Sequence, residues 1–234
     1  MSRFASYFLI FMIFAAVLGL TAACETAPPV QEMSDARQAI QAAEDDPADR
    51  VRHLDMGQVF KDNGYATGMF GKWHLGDNYP YRPEDRGFTE VMRHGGGGVG
   101  QTPDYWDNAY FDDTYFLNGQ ATETKGFCTD VWFDYAEQFI LEQKQANKPF
   151  FAYLATNAPH GPMIAPEKYT KRFLDLGYDQ NTAGRYGMIE NIDDNFGLLM
   201  EKLDEWEAWD DTLVIFMTDN GQAARRGKLK GKPT

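Results

Sequence analysis

Cysteine is nearly absent from this chain, with only Cys24 and Cys128 in 234 residues. Positive charge is scarce as well: 22 Lys and Arg stand against 35 Asp and Glu, a formal net charge of -13. That balance excludes a nucleic-acid partner, because a phosphate backbone is held by an excess of Lys and Arg. An anionic substrate would therefore need a local cationic pocket. Aromatic residues are missing from Glu25 to Asp46, where Ala, Gln, Glu, Asp and Pro dominate, the composition of a solvated tether. A sustained period is missing between Asp77 and Lys125, a stretch rich in Gly, Pro, Asp and aromatics that reads as long ordered loop. What is plentiful is apolar surface, 43% of residues with 15% aromatic, enough to fill one sizeable core.

The longest apolar run stands at the start. Arg3 precedes an uninterrupted stretch from Tyr7 to Leu20, followed by the small residues Thr21-Ala22-Ala23, the pattern of an export leader. Cys24 then stands where a bacterial lipoprotein carries its lipidated first residue, although Thr21 occupies a position usually aliphatic. The expectation is an exported protein, periplasmic or membrane-anchored, that touches a membrane only through an N-terminal lipid or the leader itself. The chain divides accordingly into residues 1–24 as leader, 25–46 as tether and 47–234 as catalytic domain. With Cys24 so used, Cys128 has no partner and reads as a small buried hydrophobe.

Beyond the tether, Asp46-Pro47 opens a helix whose apolar residues are Val51, Leu54, Val59 and Phe60, and Gly64 ends it. Tyr65 to Phe70 reads as a strand emptying into Gly71-Lys72-Trp73-His74-Leu75-Gly76. Val131, Trp132, Tyr135, Phe139 and Ile140 fall at helical spacing ahead of the buried strand Pro149 to Thr156. Tyr186, Ile189, Ile192, Phe196, Leu199 and Leu203 repeat the helical pattern ahead of the strand Thr212 to Thr218. Helix-then-strand units of this kind predict an α/β fold, a mostly parallel sheet flanked by helices, with ligands at the carboxyl ends of the strands.

Those ends carry Lys72 and His74 after the first strand, His160 after the second, and Asp219-Asn220 after the third. Taken singly, a His is usually structural, a Lys solvated and Asp-Asn-Gly a turn. Together they supply a fixed cation, proton carriers and two hard oxygen ligands suited to Ca²⁺ or Mg²⁺. The set suits transfer of a tetrahedral oxyanion, sulfate or phosphate ester. Gly95 to Gly98 follows no recognised strand and reads as a flexible loop. Asp112-Asp113 and Asp193-Asp194 read as structural or solvated, and His53 and His94 receive no role. The aromatics Tyr105, Trp106, Tyr110, Phe111, Tyr115 and Phe116 divide between packing and sugar platforms.

The run Gly64-Tyr65-Ala66-Thr67-Gly68-Met69-Phe70-Gly71-Lys72-Trp73-His74-Leu75-Gly76 resembles the second signature of the type I, formylglycine-dependent sulfatases of the alkaline-phosphatase-like superfamily. Pro149-Phe150-Phe151 leading to Ala158-Pro159-His160, the helix ending in Ile192-Asp193-Asp194, and Val214 to Gly221 agree in order and spacing, so the likeness spans roughly residues 55 to 234. The resemblance implies that Asp219 and Asn220 are Ca²⁺ ligands, that Lys72 touches sulfate and nucleophile, that His74 supports the nucleophile, and that His160 holds or protonates the ester oxygen. It also implies a further sulfate-binding lysine, Lys232 before Lys230. The substrate implied is a sulfated small molecule or polysaccharide.

The departures are specific. The family carries two acidic metal ligands on an earlier strand and a formylglycine precursor in a Cys/Ser-x-Pro-x-Arg motif; Cys24 is followed by Glu25-Thr26-Ala27, Cys128 by Thr129-Asp130-Val131, and no Ser fits. A domain truncated at both ends, inactive as it stands and with its first strand missing, is therefore expected. Either an incomplete gene model or a degenerate relative accounts for it. A phosphate or phosphonate ester hydrolase of the same superfamily and a catalytically dead ligand-binding lipoprotein are the alternative functions.

Overall fold

The computed structural model describes Tyr7–Ile13 and residues 55–218. One seven-stranded sheet organises them. Its strands are β1 (Tyr7–Ile13), β2 (Ala66–Gly71), β3 (Glu90–Arg93), β4 (Thr114–Leu117), β5 (Gln120–Glu123), β6 (Phe150–Thr156) and β7 (Thr212–Thr218), in the order β5-β4-β3-β2-β6-β1-β7. The five strands from β3 to β7 across the sheet run parallel, and β4 and β5 add an antiparallel hairpin at one edge. The helices are α1 (Met56–Asp62), α2 (Cys128–Gln145), α3 (Glu167–Asp175) and α4 (Gln180–Glu205).

Alternation along the central strands sorts their side chains between two layers. Phe70, Met92 and Leu154 face α2 and α4, packing with Trp132, Phe139, Leu199 and Leu203. Met69, Val91 and Phe151 face the other way, onto Phe60 of α1, Trp73 and Phe88. The strands covered on both faces are the continuous apolar runs expected of a buried parallel sheet, as at β6, where six of seven residues are buried. The mostly parallel α/β fold read from the sequence is the fold observed.

Three local expectations change. The stretch read as loop contains β3, β4 and β5, each four residues long and too short to show a period. Ile189, placed on the apolar face of α4, is 46% exposed, and Met188 takes the buried position beside it. The sheet does not lack a strand beside β6: Tyr7–Ile13 pairs there, with Ile10 level with Tyr153 of β6 and Ile215 of β7. The same residues were read as an export leader outside the fold. Both readings demand an uninterrupted apolar run, so the sequence pattern alone does not separate them. The tether and Cys24 lie outside the described residues.

Gly71 closes β2 in a left-handed conformation, φ +108, and a Cβ there would stand 2.0 Å from the Ala155 carbonyl oxygen. Because that carbonyl accepts the Lys72 N–H at 2.7 Å, a clash at Gly71 breaks the strand pairing that seats Lys72. Gly71→Ala should cost about 3 kcal/mol or more in urea unfolding; a loss under about 1 kcal/mol would show that β2 and β6 can separate freely here.

Candidate functional site

Three neighbouring parallel strands end side by side. The strand registers finish with Gly71 level with Arg93 of β3 and with Ala155 of β6, so the next residues, His94, Lys72 and Thr156, stand in one row. Residues level across parallel strands share a face, which puts this row on the α2 side, continuing that of Met92, Phe70 and Leu154. Lys72 is fully buried, at 0% exposure. His74, two residues on, is exposed and adopts a left-handed backbone, φ 56, a conformation that costs a non-glycine residue energy and recurs at functional sites.

His160 is half-buried on the loop after β6. Its N–H bonds to the Asn157 carbonyl at 2.9 Å, and its own carbonyl accepts the Tyr110 hydroxyl at 3.2 Å. The ring Nδ1 lies 2.8 Å from the Gly161 carbonyl oxygen, which can only accept, so Nδ1 carries a proton and Nε2 is left for the site. Partial burial lowers the affinity of His74 for a proton, the Lys72 ammonium lowers it further, Asp77 opposes, and His160 again lowers it. His74 is thus close enough to feel the charge of both Lys72 and His160.

The glycine run forms a wall of this site. A Cβ on Gly97 would sit 2.5 Å from His74 Nε2, so the bare backbone approaches the ring as only glycine permits. The loop is pinned, not flexible as expected: Gly95 N–H donates to Asp104 Oδ1 at 2.9 Å, Gly100 N–H to Asp104 Oδ2 at 2.8 Å, and Gly96 N–H to Asp77 Oδ1 at 3.0 Å. Asp112 and Asp113 are structural as read, accepting from Gly126 N–H and Ala109 N–H, while Asp193 and Asp194 are exposed on α4. Of the aromatics, Tyr110 and Tyr115 are buried and Tyr105 stacks on Phe116, leaving Trp106 almost wholly exposed at 98%. Cys128 is buried as expected, its thiol pushed up to about 12 by burial and therefore inert.

Asn157 and His94 escaped the sequence reading. Buried Asn157 accepts from Trp132 Nε1 at 2.9 Å and ties the site to α2. His94 follows β3, so recognising the short strand Glu90-Val91-Met92-Arg93 would have flagged it by the strand-end rule used for Lys72 and His160. Asp219, Asn220, Lys230 and Lys232 lie outside the described residues. Among the described residues no group of three His, Cys, Asp or Glu could hold a metal, and no helix is long and apolar enough to cross a membrane.

Burial pushes His94 down to about 4 from an ordinary 6.5, with Asp104 partly opposing and Lys72 and Arg93 adding to the shift. In the unfolded chain it takes a proton near 6.5, and in the folded chain only near 4, so between those values unfolding takes up a proton. Stability should therefore be fully present above pH 6.5 and fall as pH drops toward 4, by up to about 3 kcal/mol. Denaturant titrations of the protein and of His94→Gln should diverge in that window, the variant being the flatter; parallel curves would contradict the burial of a neutral ring.

Residues 19–234 match the family model described as Sulfatase. Among curated relatives, the arylsulfatase of Klebsiella aerogenes is 28% identical over 223 residues, covering 74% of this chain and 48% of the relative. The N-acetylgalactosamine-6-sulfatase of Homo sapiens is 31% identical over 179 residues, covering 71% of this chain and 32% of the relative. Among solved structures, Ps i-CgsB aligns with a TM-score of 0.63 at 29% identity, covering 70% of this chain and 39% of that one, and it has also been crystallised with k-i-k-neocarrahexaose. The chain thus spans about a third to a half of the length of these curated relatives. Matched by the family model over nearly all of its residues, with the strand-end site built from the residues that carry the likeness, the chain belongs to the sulfatase family.

Proposed function

We propose that this chain carries the anion-holding and leaving-group side of a sulfuric ester hydrolase for sulfated carbohydrates, and that as it stands it binds such an ester without cleaving it. The observation that carries the reading is the convergence of Lys72, His74 and His160 at the ends of the adjacent strands β2 and β6. Lys72 supplies a fixed positive charge beneath the site for the sulfate oxygens. His160, its Nδ1 committed to Gly161, leaves Nε2 available to hydrogen-bond or protonate the departing ester oxygen. His74 meets the substrate as a neutral hydrogen-bonding ring, since burial and Lys72 both disfavour its charge. The exposed indole of Trp106 offers a flat apolar face for a sugar ring. The bound carrageenan oligosaccharide of the Ps i-CgsB structure supports this substrate class.

A hard cation belongs to the same reading, but its donor set here is short. Asp219 and Asn220 follow β7, while the residues after neighbouring β1 are Phe14-Ala15-Ala16. Two protein donors fall below the roughly six to eight oxygens Ca²⁺ takes. The covalent step likewise lacks a nucleophile, because no Cys or Ser stands in a Cys/Ser-x-Pro-x-Arg motif that could give formylglycine. Export through a lipidated Cys24 is the proposed location, and it competes with the sheet for the same residues. A mature chain beginning at Cys24 has no β1. An intact mass of the natural protein decides between them: a diacylated chain starting at Cys24 supports export, and a mass retaining Tyr7–Ile13 supports the strand.

Calorimetric titration of the chain with a carrageenan oligosaccharide and its desulfated counterpart tests the function. Binding should require the sulfate, and His160→Ala should weaken it roughly tenfold, the loss of one charge-assisted hydrogen bond. Turnover of 4-nitrophenyl sulfate should be absent. Equal affinity for the desulfated sugar would overturn the reading, and hydrolysis of a phosphate or phosphonate ester would favour that alternative chemistry.

A further inference from the structure

Trp106 is 98% exposed, more than any other large apolar side chain among the described residues. Single exposed apolar residues are common; what sets this one apart is the rigidity of its mount. Trp106 and Asp107 are the central residues of a turn closed by the Asn108 N–H on the Tyr105 carbonyl at 3.3 Å, with Asp107 in a left-handed backbone, φ 70. On one side Asp104 accepts the N–H groups of Gly95 and Gly100 at 2.9 and 2.8 Å, and Tyr105 stacks on Phe116 with ring centroids 4.8 Å apart. On the other, the Asn108 side-chain amide donates to the Thr114 carbonyl at 2.7 Å. An indole held this way has little freedom left to lose when a flat partner stacks on it. The loop also belongs to the strand-end site. A Cβ on Gly95 would meet Asp104 Cα at 2.8 Å, so this segment backs the glycine wall whose Gly97 lies against His74. Trp106 follows Asp104 by two residues, at most about 7 Å of chain.

The indole is set among carboxylates. Asp113 is held above the ordinary carboxylate range by partial burial, with the Ala109 N–H opposing, and further by the charges of Asp104, Asp112 and Asp107. Asp107, next to Trp106 in the chain, and Asp112 are both exposed. Among the described residues none of the four is in an ion pair. Arg93, whose guanidinium lies 5.0 Å over the Phe116 ring, is already answered by Asp77 and Glu84 at 3.5 Å each.

We propose that the face of Trp106 is a subsite for an unsulfated sugar ring flanking the sulfated one, with the carboxylates around it excluding a second sulfate. The apolar face of a neutral sugar gains from the flat indole, whereas a sulfate brought to the same place meets like charges within the screening length of about 8 Å. Lys72 and Trp106 thereby divide the substrate between them: one end of the site attracts the ester and the other rejects a neighbour of the same sign. The ligand this selects is an oligosaccharide with sulfate on one ring and neutral rings beside it, not a densely sulfated chain.

The inference rests on the proposed sulfated-carbohydrate site and is tested by calorimetric titration of the full chain with three probes. These are a sulfated monosaccharide, an oligosaccharide with that ring sulfated and its neighbours unsulfated, and the same oligosaccharide with the flanking rings sulfated as well. The singly sulfated chain should bind about tenfold tighter than the flank-sulfated one at low salt, and the preference should shrink to within about twofold in 1 M salt, where screening acts over about 3 Å. Asp107→Asn combined with Asp112→Asn, which keeps an acceptor for the Gly126 N–H, should narrow the preference to about threefold or less by raising affinity for the flank-sulfated chain. Trp106→Ala should cost the singly sulfated oligosaccharide about tenfold and leave the monosaccharide within about twofold. Equal affinity for the two oligosaccharides, a preference that survives the double variant, or an oligosaccharide affinity indifferent to Trp106→Ala would each overturn the proposal. Binding of the monosaccharide that does not depend on its sulfate would instead count against the proposed function.

Discussion

The Lys72 amide donates to the Ala155 carbonyl at 2.7 Å, and this bond between the ends of β2 and β6 sets where every other site residue falls. It fixes the register in which Lys72 stands level with Thr156 and, through β3, with His94. Once that row is set, the chain leaving β2 must turn at once, and the left-handed backbone of His74 accomplishes the turn. The chain leaving β6 reaches His160 through Asn157, whose carbonyl oxygen receives the His160 N–H. A one-residue slip would exchange the faces of every residue beyond it and carry Lys72 from the α2 side to the α1 side.

The energetic cost of this arrangement is concentrated at Lys72. Burying an ammonium completely is unfavourable unless polar neighbours answer it. Two nearby carboxylates, Asp77 and Asp104, are engaged by amides of the glycine loop. Lys72 thus places a positive charge at the strand ends of a chain whose overall charge is -13. The local field, not the net charge, suits an anionic ester.

Much of this was legible in the residues themselves. The apolar runs of β6 and β7 and the helical spacing of α2 and α4 are long enough for periodicity to speak; the strand Tyr65 to Phe70 puts Lys72 and His74 at its end, and β6 does the same for His160. Four-residue strands give no such signal, so β3 went unseen and His94 with it. The pinning of the glycine loop was hidden for another reason: it depends on Asp77 and Asp104, which lie up to nineteen residues from the amides they hold. The start of the chain was ambiguous in principle, since an export leader and a buried strand ask for the same residues.

The central claim is that Lys72, His74 and His160 form one anion site. Its most direct measurement is the ring signals of the histidines during titration with inorganic sulfate at constant ionic strength. The account predicts that His74 and His160 shift together along one saturable curve, and that the curve disappears in Lys72→Met. Shifts that differ in midpoint between the two histidines, or that survive the loss of Lys72, would contradict it.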